Sequence, residues 1–284
     1  MIVRAILALC LIAPVAHAEG PERVVSVNLC ADQLLVMLGD PGQVASVSFL
    51  ARDRELSYVA DRVEDVPVNH GGAEEVLALE PDLVLAGEYG AGPAVRLLES
   101  RGMPVLKLGL AETFDDIRVQ IRMVAEALGK PARGAAAVAA MDARLRSARA
   151  TLPSPEDRPR ALIFQADGFT AGAGTLTDAV LSAAGFRNVA AEAGMVGYGY
   201  MSLESLLHLA PDLVIAERDS AAGDVDAPSL ATALLDHPAL REFMAEMPVV
   251  EIPSGSMACG GPYTVEAVQA LVEARHALGA GAAS

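Results

Sequence analysis

Short apolar runs alternating with amphipathic stretches set the frame of this chain. Residues 24–27, 44–49, 83–86 and 104–108 are brief apolar runs, and residues 30–38, 93–101 and 113–128 carry apolar positions at helical spacing. Strand-length runs interleaved with helices predict a small parallel sheet with covering helices, because parallel neighbours need a crossover between them. Thr113 is a natural cap for the helix it precedes. The same grammar returns later: strand 161–164, helix 175–184 ended by Gly185, helix 202–209, strands 213–216 and 249–252, and a last helix over 263–278 opened by Pro262. The tail from Gly279 reads as a frayed end.

Between the two halves lies an unbroken Ala-rich segment, 131–152, with Val138, Met141 and Leu145 interleaved among Arg144, Arg146 and Arg149. Pro131 suits a first helical turn, and Pro153-Ser154-Pro155 ends the run. At ~1.5 Å per residue this helix is about 33 Å long, a stiff strut rather than the Gly/Ser-rich coil of a flexible linker.

The halves also share words. Glu74…Pro81-Asp82-Leu83-Val84-Leu85-Ala86 returns as Glu204…Pro211-Asp212-Leu213-Val214-Ile215-Ala216, 130 residues on. That period is too long for a solenoid and fits two similar α/β lobes. The expected architecture is therefore α/β: two lobes, 19–130 and 153–284, each a small mostly parallel sheet with flanking helices, joined by the long rigid helix 131–152 with a ligand cleft between them.

The amino terminus changes the picture by adding a destination. A basic start through Arg4, an apolar run over 6–15 and Ala16-His17-Ala18 form a signal peptide, residues 1–18, cleaved near Ala18. The apolar run is too short to span a bilayer, and Cys10 lacks the rest of a lipoprotein cleavage box. The formal charge of −16 becomes −17 on loss of Arg4, the one charged residue removed. So acidic a chain is a poor partner for nucleic acid or anionic membrane. Two cysteines then remain, Cys30 and Cys259, one in each half. In an oxidising compartment they either bridge the lobes or stand as unpaired cleft thiols.

Ligands gather at the carboxyl ends of parallel strands. In the first half that rule nominates Asn28, Cys30, Leu50, Arg52, Asn69, His70 and Tyr89. In the second it nominates Phe169, Tyr198, Tyr200, Arg218, Cys259 and Tyr263. His70 lies four residues before Glu74 and Tyr200 four before Glu204, so in symmetric lobes they face each other across the cleft. There they would serve as axial ligands to an iron or cobalt centre or as hydrogen-bonding rim residues. Arg52 and Arg218 could pair with carboxylates or phosphates. Two arginines are too few for a densely anionic catecholate chelate.

Taken in order, Arg23-Val24-Val25-Ser26, the Glu74 and Glu204 repeats, the central helix and Gly172-Ala173-Gly174-Thr175…Gly185-Phe186-Arg187-Asn188 resemble the periplasmic substrate-binding proteins of ABC importers for iron–siderophore, haem and vitamin B12. The resemblance spans almost the whole mature chain. It implies a monomeric, non-enzymatic carrier without an intrinsic cofactor. Its ligand would be an iron or cobalt chelate, a ferric siderophore or corrinoid before haem. Its partner would be the ABC permease dimer with its ATPase, docked through Glu74 and Glu204.

Other readings find less support. A zinc or manganese carrier needs several converging ligands, and the mature chain offers His70, His208, His237 and His276, the last three on or beside ordinary helices. An exported enzyme lacks a nucleophile elbow and a dinucleotide fingerprint. An exported haem or metal chaperone would differ from a carrier in not needing Glu74 and Glu204.

Overall fold

The computed structural model describes residues 20–152, 158–165, 168–218 and 247–281. The signal peptide, the Pro153-Ser154-Pro155 break and His237 lie outside the described residues. So do the side chains of Leu203, 216–218, 253–254 and 280–281.

The first lobe is a five-stranded sheet in the order β3-β2-β1-β4-β5, every neighbour parallel. Its strands are β1 (Val24–Ser26), β2 (Val44–Ser48), β3 (Val68–Asn69), β4 (Leu83–Gly87) and β5 (Val105–Leu108). Helices α1 (Leu29–Leu38), α2 (Ala73–Ala78), α3 (Gly92–Ser100) and α4 (Phe114–Ala127) make the crossovers. Thr113 caps α4 by accepting a hydrogen bond from the Asp116 N–H at 3.1 Å.

The strut is α5 (Pro131–Ala150), which packs on α4 and on the last helix, α9 (Val265–Gly281). The second lobe is a four-stranded parallel sheet, β11-β10-β6-β8, from β6 (Arg160–Ile163), β8 (Arg187–Asn188), β10 (Leu213–Arg218) and β11 (Val249–Pro253). Helices α6 (Leu176–Ala183), α7 (Val189–Glu192) and α8 (Leu203–Leu209) flank it. An element the periodicity does not foretell is an antiparallel ribbon of β7 (Phe169–Ala171) and β9 (Tyr198–Tyr200). Its strands are three residues long, too short for an alternation to register. The last helix starts at Val265 because 262–264 form a 3-10 turn first.

One apolar core crosses the molecule. Leu34, Leu35, Ile117, Ile121 and Leu128 of the first lobe, Met141 and Leu145 of the strut, and Val180, Ile215, Ile252 and Leu271 of the second belong to one buried cluster. The lobes therefore share packing along the strut instead of hanging from a linker.

The sequence repeat has a structural reason. In the first lobe the Asp82 carboxylate accepts the N–H groups of Glu22 and Arg23 at 2.7 and 3.0 Å, and the Arg23 guanidinium donates to the Leu79 carbonyl at 2.6 Å. In the second, Asp212 accepts the Arg160 N–H at 2.7 Å, and Arg160 donates to the Leu209 carbonyl at 2.7 Å. Each Pro-Asp follows a residue turned left-handed, Glu80 at φ 47° and Ala210 at φ 42°. The Pro-Asp pair thus latches the start of each lobe's first strand to the end of its repeat helix.

Candidate functional site

Both sheets place their functional loops where strand order reverses, the crevice at which doubly wound sheets bind ligands. In the first lobe that point lies between β1 and β4. Asn28 follows β1 and caps α1, its side-chain oxygen accepting from the N–H groups of Cys30 and Ala31 at 3.0 and 3.2 Å. Its amide lies over Gly87 so closely that a β-carbon there would sit 2.6 Å from Asn28 Nδ2. Tyr89, just beyond β4, stands 66% exposed. Phe49 follows β2 and stacks on the exposed His70 ring, which follows β3, with centroids 5.2 Å apart. The His70 backbone N–H and Nδ1 lie 2.8 and 3.4 Å from the two Glu75 carboxylate oxygens, which hold the residue at the rim.

In the second lobe the reversal falls at β6, and the chain leaving β6 enters the β7–β9 ribbon. Phe169 pairs with Tyr200 and Ala171 with Tyr198. With Gly199 between them, both tyrosines point to one face. Phe169 stacks with Tyr198 at 5.8 Å and meets Tyr200 edge-on at 5.5 Å. The result is a three-ring platform whose outer ring, Tyr200, is 71% exposed. Aromatic faces this open to water gain most by covering a flat or apolar ligand.

The two carboxyl edges are tied together. Cys30, at the start of α1, forms a disulfide with Cys259, beyond β11, with Cα atoms 5.2 Å apart. Beside it Tyr58 stacks on Tyr263 at 4.4 Å and donates to Glu266 at 2.7 Å. A cavity of about 450 Å³ opens at this seam, lined by Arg54, Tyr58, Asp61, Ser256 and Glu266 among others, and it does not include the aromatic platform.

Several nominated ligand residues turn out to hold the scaffold. Asn69 is fully buried, donating to the Ser26 carbonyl at 2.9 Å, Ser46 Oγ at 2.9 Å and the Val47 carbonyl at 3.0 Å. The Arg52 guanidinium donates to the Val66 carbonyl at 2.7 Å and to the Val63 carbonyl, so its charge fastens the loop after β2. Tyr263 lies buried under Tyr58, and burial pushes its hydroxyl pKa upward. Asn28 is occupied as a cap, and Cys259 is buried in the disulfide. Leu50 is half-buried, and the Arg218 side chain lies outside the described residues. Exposed at the carboxyl edges remain Phe49, His70, Tyr89, Tyr198 and Tyr200, with Phe169 half-buried beneath the tyrosines.

Two residues of the seam carry no signal in the sequence. One is Tyr58. The other is Asp32, fully buried in the first turn of α1, where it accepts from the Ser48 N–H at 3.0 Å and its Oδ2 lies 2.5 Å from Ser48 Oγ. Burial pushes its carboxyl up to about 7, against the opposing pull of those hydrogen bonds. No cluster of three or more His, Cys, Asp or Glu suited to a metal ion occurs among the described residues.

Glu74 and Glu204 occupy matching places, exposed in the first turns of α2 and α8. Ser202 caps α8 by accepting from the Ser205 N–H at 3.2 Å, whereas α2 starts from Gly72 without a side-chain cap.

A family model described as periplasmic binding protein matches residues 24–251. The chain belongs to that family. A Halobacterium salinarum relative named cobalamin-binding protein is 32% identical over 216 residues, which are 74% of this chain and 58% of that protein. The chain thus spans less than two thirds of that relative's length. A Bacillus subtilis relative, the uncharacterized ABC transporter substrate-binding lipoprotein YvrC, is 25% identical over 205 residues, 69% of this chain and 64% of that protein. Among solved structures, the periplasmic haem-binding protein RhuT from Roseiflexus sp. RS-1 superposes with a TM-score of 0.72 at 27% identity, covering 90% of this chain and 99% of that one. The vitamin B12 binding protein BtuF of Vibrio cholerae shares the fold, with a TM-score of 0.71 at 20% identity and coverage of 91% and 98%. The binding protein described here therefore has the two-lobed architecture of a periplasmic solute carrier.

Proposed function

We propose that this binding protein is the solute-capturing component of an ABC importer, exported by a signal peptide cleaved near Ala18. It takes up a metal chelate at the lobe seam and hands it to a membrane permease. The observation that carries the reading is the pair of exposed aromatic surfaces at the carboxyl edges of both lobes, joined at one seam. Such surfaces suit a large, flat or apolar-faced ligand, and the engagement of Arg52 elsewhere lowers the affinity for a highly anionic one. A corrinoid or a hydroxamate siderophore fits best and haem follows, in keeping with the cobalamin-binding and haem-binding relatives. His70 and Tyr200 face the ligand as rim residues. Glu74 and Glu204, one per lobe at matching positions, dock onto the permease.

The test is a thermal-shift panel on the mature protein with ferric hydroxamates, ferric catecholates, haem, cobalamin and free divalent metals. A ligand at a hundred times its Kd stabilises by about 2.7 kcal/mol, a rise of roughly 5–10 °C for a chain of this size. Failure of every chelate to raise Tm overturns the reading. The double variant Glu74→Arg/Glu204→Arg is expected to abolish uptake while the thermal shift survives. Unchanged uptake removes the docking assignment.

A further inference from the structure

The Cys30–Cys259 bridge joins residues 229 apart in the chain, and the seam it closes is otherwise lightly held. Segment 255–266 belongs to the second half by sequence but is inserted against the first. A β-carbon at Gly260 would fall 2.5 Å from Ala111 Cβ and 2.8 Å from Ile117 Cγ1, and one at Gly255 would sit 3.3 Å from the Glu55 carbonyl oxygen. Beyond that fit, the described seam has the Tyr58–Tyr263 stack and the Tyr58 hydroxyl on Glu266, which Arg144 also contacts at 3.3 Å. A ring stack and a partly exposed hydrogen bond are each worth about fivefold in an equilibrium. Two buried polar atoms, Gln33 Nε2 and Tyr263 Oη, are unpaired here, which weakens the closed seam further. The covalent bond is the strong link.

We infer that the Cys30–Cys259 disulfide is a redox-releasable clasp that holds segment 255–266 against the first lobe and limits how far the seam opens. The coupling of this clasp to ligand release rests on the carrier function proposed above; the clasp itself does not. Cys30 is the half-buried partner and Cys259 the buried one, so a dithiol reductant enters at Cys30. A reductant thiolate attacks Cys30 Sγ, forming a mixed disulfide and expelling Cys259 as thiolate, which takes up a proton. The second reductant thiol, deprotonated, then attacks the reductant sulfur of that mixed disulfide and expels Cys30, a leaving thiolate favoured at the α1 N-terminus. The reductant ends as its own disulfide, and two electrons have passed to the protein.

The experiment compares oxidised mature protein, dithiothreitol-reduced protein and the Cys30→Ser/Cys259→Ser double variant by hydrogen–deuterium exchange, with thiol titration to verify reduction. Reduced protein is expected to exchange at least tenfold faster in residues 53–61 and 255–266, with β1, β4 and α4 unchanged. Cyanocobalamin or haem, whichever the panel shows to bind, should dissociate at least tenfold faster. Unchanged exchange at the seam with two titratable thiols overturns the clasp, and so does a uniform rise across β1, β4 and α4. If neither probe binds, the ligand reading fails while the exchange pattern still decides the clasp.

Discussion

Asp32 should make this protein lose stability as the solution turns from acid to neutral, and one atom exchange should remove the effect. The carboxyl ordinarily titrates at 3.8 and is pushed to about 7 by burial in the folded protein. Between those values the folded chain keeps a proton that the unfolded chain has released. Stability is therefore greatest below about pH 4, falls as pH rises, and levels off above about 7. A gap of about three pH units corresponds to on the order of 4 kcal/mol in full, of which about 3 kcal/mol falls between pH 5 and pH 8. Asp32→Asn keeps the shape, can still accept from the Ser48 N–H and carries no charge at any pH. Groups that titrate in both proteins, including Asp40, whose carboxyl is held low by Lys130 and Arg133, cancel in the comparison. Urea unfolding of both proteins at pH 5, 6, 7 and 8 measures the difference. The variant should gain on the wild type by about 3 kcal/mol across that range, with equal m-values. Parallel pH profiles would refute the reasoning and assign Asp32 a hydrated or charge-paired environment.

Two further tests concern the scaffold. Asn69→Ala should cost about 3–4 kcal/mol in urea unfolding, because it leaves the buried Ser26 and Val47 carbonyls without the amide that joins them; a loss under 0.5 kcal/mol would show the amide to be dispensable. Asp82→Ala should destabilise by about 1–2 kcal/mol and by more than Asp212→Ala, since Asp82 accepts two backbone N–H groups and Asp212 one. The reverse order in chemical denaturation would contradict the latch.

The lobes, the strut and the repeat helices were readable because each rests on a pattern several residues long. The β7–β9 ribbon was not, since Phe-Thr-Ala and Tyr-Gly-Tyr are too short to show a period and are set by their pairing. The carboxyl-end rule found the right loops but could not say which side chains stay free. Asn69 and Arg52 are polar residues beside turns, and their groups satisfy carbonyls that the turns leave open. Tyr89, Tyr198 and Tyr200 have no comparable use for their rings and remain exposed. Asp32 resembles an ordinary first-turn aspartate, and its burial comes from the sheet folding over it.

The matched latches also bear on how quickly an encounter becomes productive. Each latch fixes the repeat helix, and with it Glu74 or Glu204, to the first strand of its own lobe, so the two acidic points are held at equivalent places in the two halves. A partner built from two identical subunits would find nearly the same arrangement after half a turn about the shared axis. Either orientation of approach can then begin a complex, which roughly doubles the fraction of collisions that start correctly aligned.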